Sequence, residues 1–212
     1  MSGPSRSRGN LGAALALKAS LALALALSAG AVSGVLAGEP EEAPAEAAVP
    51  RILIAYYSHS GNTRAIAELL HKKLGGILFQ IEPVKPYPHD YDAVLEVARP
   101  QVEQGLLPDL KGVLPDPAQF DLALVGGPVW FGTLSPPVSS FLAKVDLGKK
   151  TIAPFCTYGG GMRGYFDNFA VACPHTSEVL EGLGLGRAQL AREEEEIDRL
   201  VSEWVAGLPL PE

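Results

Sequence analysis

Continuous apolar runs that alternate with helix-like periods are the feature that most restricts the fold of this chain. Three such runs are RILIAYY (51–57), FDLALVGGP (120–128) and TIAPFCT (151–157). They are short, strand-like in composition and apolar at nearly every position, which is typical of strands buried on both faces of a parallel sheet. ILFQIEP (77–83) and TSEVLEGLGL (176–185) bring the number of predicted strands to five.

Helical patterns follow these strands in turn. Apolar residues at helical spacing predict helices over 62–74, 90–104, 135–145, 165–172 and 191–208. Five β–α units in series predict a single α/β domain built on a doubly wound parallel sheet. Ligands of such sheets bind at the carboxyl ends of the strands. The loops after the first, third and fourth strands are therefore the candidate site.

The N-terminal segment has the pattern of a targeting sequence. Residues 1–38 combine three basic residues with an uncharged stretch over 19–38 and a Val35-Leu36-Ala37 cleavage pattern. We expect a cleaved signal peptide and an exported, extracytoplasmic protein. A retained membrane anchor is the alternative, because twenty uncharged residues can span a bilayer. Residues 39–50 predict a flexible linker, and residues 51–208 the folded domain.

Charge and cysteine content narrow the classes of partner and site. Beyond residue 38 the chain has 14 Lys+Arg and 24 Asp+Glu, a net charge of −10. Such a surface disfavours nucleic acid and predicts basic partners or none. Cys156 and Cys173 have no metal-ligand spacing. A helix separates them by roughly 10 Å, beyond the roughly 7 Å reach of a disulfide, so we expect free, buried thiols and no metal site.

The first loop, SHSGNT, concentrates groups that bind anions. Its hydroxyls come from Ser58, Ser60 and Thr63, and Gly61 lets the backbone approach a ligand closely. The free N–H groups and dipole of the following helix also favour an anion. No Walker-type lysine follows, which argues against a magnesium nucleoside triphosphate. The loop alone leaves two interpretations open, a phosphate cradle and an ordinary helix cap.

Aromatic residues mark the second loop, GPVWFGT. Trp130 and Phe131 are adjacent, so in an extended segment their side chains leave in opposite directions and at least one is exposed. An exposed ring beside a ligand crevice is suited to stacking on a planar group.

The third loop, TYGGG, allows a dinucleotide interpretation. Tyr158 follows the strand, and the glycines at 159, 161 and 164 fit G-x-G-x-x-G, with Glu178 and Glu181 near the spacing of a ribose-binding acid. The signal is weak because this fingerprint normally follows the first strand of a sheet. One phosphate loop with two aromatic loops describes better a mononucleotide that carries a large flat ring.

These three loops together resemble the flavodoxin family. AYYSHSGNTRAIAELL, VGGPVWFGTLSPPVSSFL and TIAPFCTYGGG resemble its three cofactor loops, and the likeness extends over residues 51–206. It is closest to a short-chain branch with W-x-G-T in the second loop and FCT-x-GG in the third. The resemblance implies a three-layer sandwich, with a five-stranded parallel sheet in the order 2-1-3-4-5 and helices on both faces.

The resemblance also implies noncovalent FMN as cofactor and assigns residues to it. The phosphate is expected at Ser58, His59, Ser60, Gly61, Asn62 and Thr63. The isoalloxazine ring is expected at Pro128, Val129, Trp130, Phe131 and Gly132, with Thr157, Tyr158, Gly159 and Gly160 on its far side. We expect backbone N–H groups to hold most of the phosphate. His59 is either a phosphate partner or a solvated loop residue, of which we favour the second, and Arg64 is expected to face solvent.

Two functions follow from the resemblance. The protein is expected to be either an electron carrier that meets a redox partner protein or an NAD(P)H-dependent oxidoreductase that reduces small acceptors. No catalytic side chain is expected, because the flavin carries the redox chemistry. Two alternatives are a flavodoxin-fold binding module without redox activity and a dinucleotide-binding dehydrogenase. A membrane contact is expected only if the N-terminal segment is retained.

Overall fold

The structure of the protein is a computed structural model that describes residues 51–210. The signal peptide and linker predicted for residues 1–50 lie outside the described residues. Within 51–210, no helix combines the length and the apolar character needed to cross a membrane.

Within residues 51–210, seven strands form one sheet, in which five strands lie side by side and two short ones pair with β3 and β5. In chain order they are β1 Ile52–Tyr56, β2 Ile77–Gln80, β3 Leu122–Trp130, β4 Thr133–Leu134, β5 Thr151–Tyr158, β6 Glu178–Val179 and β7 Leu183–Gly186. The spatial order is β2-β1-β3-β5-β6. β7 also pairs with β5, and β4 pairs with β3. Every pairing is parallel except β3 with β4.

Helices cover both faces of the sheet. They are α1 Asn62–Leu74, α2 Tyr91–Gln104, α3 Pro136–Lys144, α4 Tyr165–Ala172, α5 Arg187–Leu190 and α6 Glu194–Ala206, with a short 3-10 helix at Pro117–Gln119. Buried side chains of α2, α3 and α4 pack on one face of the sheet, while those of α1 and α6 pack on the other. The predicted three-layer α/β sandwich is therefore confirmed, and the bounds predicted for α1 and α4 are those observed.

The predicted sheet of five strands in the order 2-1-3-4-5 was wrong in detail. One extra strand is β4, which turns back on β3 as a short hairpin. The other arises because the predicted fifth strand is split into β6 and β7, which pair with the lower and upper parts of β5. Ile152 is in register with Val179 but Phe155 with Leu183, so the β6–β7 side has one residue more than β5.

Pro154 gives a physical reason for the split. Residues of one parity in a parallel strand point their N–H and C=O toward the same neighbour. The N–H of Leu180 donates to the C=O of Ile152, so Pro154, two residues later, also faces the β6–β7 edge. Proline has no N–H to donate there. The ladder breaks at this level, and the free C=O of Glu181 accepts a hydrogen bond from the Trp204 indole of α6 at 2.8 Å.

Cys156 and Cys173 are both free and buried, as predicted. Burial raises the pKa of the Cys156 thiol to about 12 and that of Cys173 to about 11. Since the thiolate is the reactive form, both residues should be inert in the folded protein.

We expect a thiol reagent such as DTNB to find no reactive cysteine in the folded protein at pH 8. Denaturation without reductant should release two thiols per chain, because no disulfide links Cys156 and Cys173. Absorbance of the released thionitrobenzoate measures both values. A denatured count near zero would contradict the assignment of free thiols.

The same burial predicts a loss of stability in alkali. Below pH 9, the ordinary thiol pKa, both cysteines are protonated in the folded and unfolded chains. As the pH rises from 9 toward 12, the unfolded chain loses protons that the folded chain retains, so the free energy of unfolding falls. Urea titrations at successive pH values measure this slope. Replacing both cysteines with alanine should make the slope shallower, while buried tyrosines such as Tyr57 and Tyr87, whose pKa values burial also raises, keep part of it. An unchanged slope would show that the thiols do not contribute.

Candidate functional site

The first loop connects β1 to α1 at the carboxyl edge of the sheet. Its turn closes where the N–H of Gly61 donates to Ser58 Oγ at 3.2 Å. Gly61 has a φ of 94°, in the left-handed region where a side chain is strained, and it is the N-cap of α1. Ser60, Gly61 and Asn62 are exposed, and the first turn of α1 has no acidic residue. The loop therefore presents hydroxyls and unpaired helix N–H groups to solvent.

Thr63 has a different role from the other loop residues. It is 1% exposed, and its Oγ1 lies 2.8 Å from Oγ1 of Thr157, which is also buried. Each hydroxyl is thus the partner of the other. The bond joins the first loop to the third across β3, the strand that separates β1 from β5.

The second loop is a tight hairpin between β3 and β4. Phe131 and Gly132 form its two-residue turn, with φ of 52° and 81°, as a type I′ turn requires. Trp130 is half-buried, while Phe131 is 36% exposed. The predicted exposure of at least one ring is confirmed. Asn168 of α4 donates to Thr133 Oγ1 at 2.9 Å, which ties the hairpin to α4.

A cluster of aromatic rings fills the space between the first and second loops. The Trp130 ring meets Tyr87, Tyr57 and His59 edge-on, at centroid distances of 4.9, 5.7 and 5.9 Å. His59 also stacks on His89 at 6.4 Å. The expectation that His59 faces solvent is therefore wrong, because its ring is half-buried against Trp130.

Burial favours the neutral forms of Tyr57, Tyr87 and His59 in the aromatic cluster. Burial, followed by the neighbouring His89, lowers the pKa of His59, which favours the neutral imidazole. Burial raises the pKa of Tyr57 well above its usual value and that of Tyr87 to about 12. Tyr87 OH donates to Gln101 Oε1 at 2.5 Å, so α2 fixes the ring that supports Trp130. Tyr87 was not predicted as a site residue. The sequence indicated it only by its position in the Pro-rich segment after β2.

The third loop packs against a face of β7 on which glycines leave room for neighbouring side chains. Gly184 and Gly186 alternate along the strand and Gly182 precedes it, and side chains from the third loop and α4 occupy the space where their Cβ atoms would lie. The ring of Tyr158 lies over Gly186, 2.6 Å from such a Cβ. Tyr158 therefore leans toward the edge strand, whereas Gly159 and Gly160 are exposed at the sheet edge.

Predicted site residues thus fall into two groups. Ser60, Gly61 and Asn62 are exposed at the first loop and Ser58 is half-buried, while Pro128 to Gly132 form the end of β3 and its hairpin. Thr63, Thr157 and Tyr158 are instead structural contacts within and between the loops. Arg64 is exposed as expected and donates to Gln80 Oε1 at 2.9 Å.

The dinucleotide interpretation is not supported by the placement of Glu178. Glu178 is in register with Thr151, at the first residue of β5, whereas the glycine loop follows the last residue, Tyr158. Seven residue steps of about 3.3 Å separate these two levels by roughly 23 Å. Glu178 therefore lies at the opposite edge of the sheet from the loop it would serve. No cluster of three potential metal ligands occurs within residues 51–210.

Comparisons with known proteins agree with this architecture. The flavodoxin family model matches residues 51–201. A flavodoxin from Synechocystis sp. (strain ATCC 27184 / PCC 6803 / Kazusa) is 28% identical over 138 residues, which is 63% of this chain. The chain spans 66% of that relative's length.

Solved structures show the same fold. A Bacteroides eggerthii DSM 20697 protein is 25% identical, with a TM-score of 0.63 over 74% of this chain and 99% of its own. A flavoprotein from Lactobacillus acidophilus NCFM, solved in complex with FMN, is 24% identical, with a TM-score of 0.58 over 71% of this chain and 98% of its own. Since the family model covers most of the described domain, the chain belongs to the flavodoxin family.

Proposed function

We propose that the protein binds FMN noncovalently at the three loops and acts as a one-electron carrier. The observation that carries this proposal is the first loop, where exposed hydroxyls and a helix N-terminus meet at the sheet edge with no carboxylate among residues 57–63. Such donors fit a phosphate monoester. Membership of the flavodoxin family supports the same cofactor.

The residues present fit both ends of FMN. Ser58, Ser60 and the N–H groups at the start of α1 are the phosphate donors, and the conformation of Gly61 keeps the turn open. The hairpin at Phe131–Gly132 and the half-buried Trp130 provide an apolar surface for the ring. FMN supplies the electron chemistry by accepting and releasing one or two electrons.

The chain itself binds, orients and excludes water. The Thr63–Thr157 bond fixes the spacing between the phosphate end and the third loop. The aromatic cluster holds Trp130 from one side and keeps water away from that edge, since Tyr57 and Tyr87 are buried. The neutral His59 adds no charge beside the phosphate loop near pH 7. No side chain is assigned a nucleophilic role.

The first test is the phosphate end. We expect the purified protein to be yellow, and flavin-stripped protein to rebind FMN. Ser60→Asp places a carboxylate in the loop and should raise the Kd for FMN about tenfold or more, through like-charge repulsion worth at least roughly 1.4 kcal/mol. Riboflavin lacks the phosphate, so its Kd should stay unchanged. Titration of flavin fluorescence measures both.

A matched control places the same charge elsewhere. Ser177 is exposed and precedes β6 at the opposite edge of the sheet, so Ser177→Asp should leave both affinities unaltered. A colourless protein that refuses added FMN would overturn the proposal and favour a binding module without flavin.

The ring end is tested by Trp130→Ala. Removing this side chain should weaken FMN and riboflavin by a similar factor, several-fold, because aromatic contacts are worth roughly 0.5–1.5 kcal/mol each. The chain has one other tryptophan, Trp204, which bonds to Glu181 away from the loops. Trp204→Phe should reduce stability but not flavin affinity. Loss of FMN binding with riboflavin unaffected would contradict the assignment of Trp130 to the ring.

A further inference from the structure

Two arginines lie over the tip of the β3–β4 hairpin. The Cζ of Arg99, from α2, lies 4.8 Å from the centroid of the Phe131 ring. Arg163, from the third loop, packs over Gly132, with Cδ 2.7 Å from the Cβ position of that glycine. Both arginines are exposed, and so is the Phe131 ring. We name Arg99, Phe131, Gly132 and Arg163 the hairpin patch.

The arginines of the hairpin patch make few ion pairs, although Glu96 lies three residues before Arg99 and Asp167 four residues after Arg163 in the chain. Among the ion pairs of residues 51–210, Arg163 takes part in none, and Arg99 appears only with the exposed Glu103 at 3.9 Å. An exposed pair at that distance contributes little. Residues 57–63, 128–132 and 157–164 contain no Asp or Glu. A third arginine, Arg187, lies 3.6 Å from the Cβ position of Gly159 in the third loop.

This local charge is opposite in sign to that of the domain. Residues 51–210 contain 14 Lys+Arg and 19 Asp+Glu, a net charge of −5. Much of the acidic excess lies on α6, which begins with three consecutive glutamates. An anionic macromolecule is therefore repelled near α6 and attracted at the hairpin patch.

The composition of the patch is that of a protein-binding surface. Aromatic residues and arginine are enriched among the residues that dominate protein interfaces. Phe131 and Arg163 both have backbone φ in the left-handed region, at 52° and 49°, so each is presented from a fixed turn rather than a helix or strand. The two cations contact neighbouring residues of the hairpin tip, Phe131 and Gly132, and both are exposed, as suits a contact with a protein surface.

We infer that the hairpin patch docks an acidic face of a redox partner protein, with Phe131 at the centre of the contact and Arg99 and Arg163 at its sides. The inference rests on the proposed function, because Phe131 and Gly132 belong to the loop assigned to the flavin ring. Docking there places the partner at the edge of the cofactor site. It also reverses the partner charge predicted from overall composition, which was basic.

The test compares two forms of one electron acceptor. Horse cytochrome c is basic, and its succinylated form is acidic with the same haem. The holoprotein is reduced with dithionite, and stopped-flow absorbance then follows oxidation of the flavin. Each reduced flavin gives up two electrons, its protons pass to solvent, and two ferric haems become ferrous. At low ionic strength the acidic form should react faster, and its rate should fall roughly tenfold as salt approaches physiological values.

Charge-reversal variants locate the effect. Arg163→Glu should abolish the preference for the acidic form, and Arg163→Gln should weaken it. Lys149→Glu is the matched control, because Lys149 is exposed, shares a left-handed φ of 65° and precedes β5 at the opposite edge of the sheet. It changes the net charge equally and should leave the preference intact. FMN content and thermal melting confirm that each variant is folded and loaded.

A measurement without turnover separates docking from electron transfer. With both proteins oxidised, succinylated cytochrome c should shift the backbone amide NMR signals of Phe131 and Gly132, and Arg163→Glu should remove those shifts. Faster reaction with native cytochrome c at low salt, or equal effects of Arg163→Glu and Lys149→Glu, would overturn the inference. NADPH could instead reduce the flavin with saturation kinetics, and Arg163→Glu could weaken that reduction. This result would assign the hairpin patch to dinucleotide phosphates and would also overturn the inference. Failure of the proposed function looks different, since a protein without flavin shows no dithionite bleaching.

Discussion

The parallel register of β1, β3 and β5 is the constraint on which the rest of the structure depends. Leu53, Ala123 and Ile152 stand side by side in these three strands, and all are buried. Strands covered on both faces cannot shift register without exposing apolar side chains, so their carboxyl ends are fixed at one edge. The three candidate loops converge for this reason, although 100 residues separate Ser58 from Tyr158 in the chain.

Local patterns predicted the elements well and the contacts between them poorly. The helix over Asn62–Leu74 could be predicted because its apolar residues recur at helical spacing and a glycine pair follows it. The split of the predicted fifth strand could not be predicted from the sequence, although the sequence shows Pro154. Its effect depends on which neighbour its missing N–H would face, and that parity is set by pairing with β3 and β6.

Similar limits apply to the site. The sequence identified the three loops, but nothing in it distinguishes the Thr63 hydroxyl from the serine hydroxyls of SHSGNT. Its burial against Thr157 follows only from the position of β5 beside β3, which no local pattern encodes. Tyr87 and His89 were missed as supports of Trp130 and His59 because these contacts join separate loops of the domain.

The net charge of the domain predicts a basic partner, whereas the arginines of the hairpin patch predict an acidic one. The distance of each charge from the docked partner decides which prediction applies. At physiological salt the Debye length is about 8 Å, so a partner docked on Phe131 responds mainly to charges within that range. Arg99 and Arg163 lie directly on the hairpin, whereas the glutamates that open α6 are on the sheet face opposite α2 and α4. The acidic excess therefore governs the approach from afar, and the arginines govern the contact. A surface built this way favours one orientation, because an acidic partner is repelled near α6 and attracted at the hairpin patch.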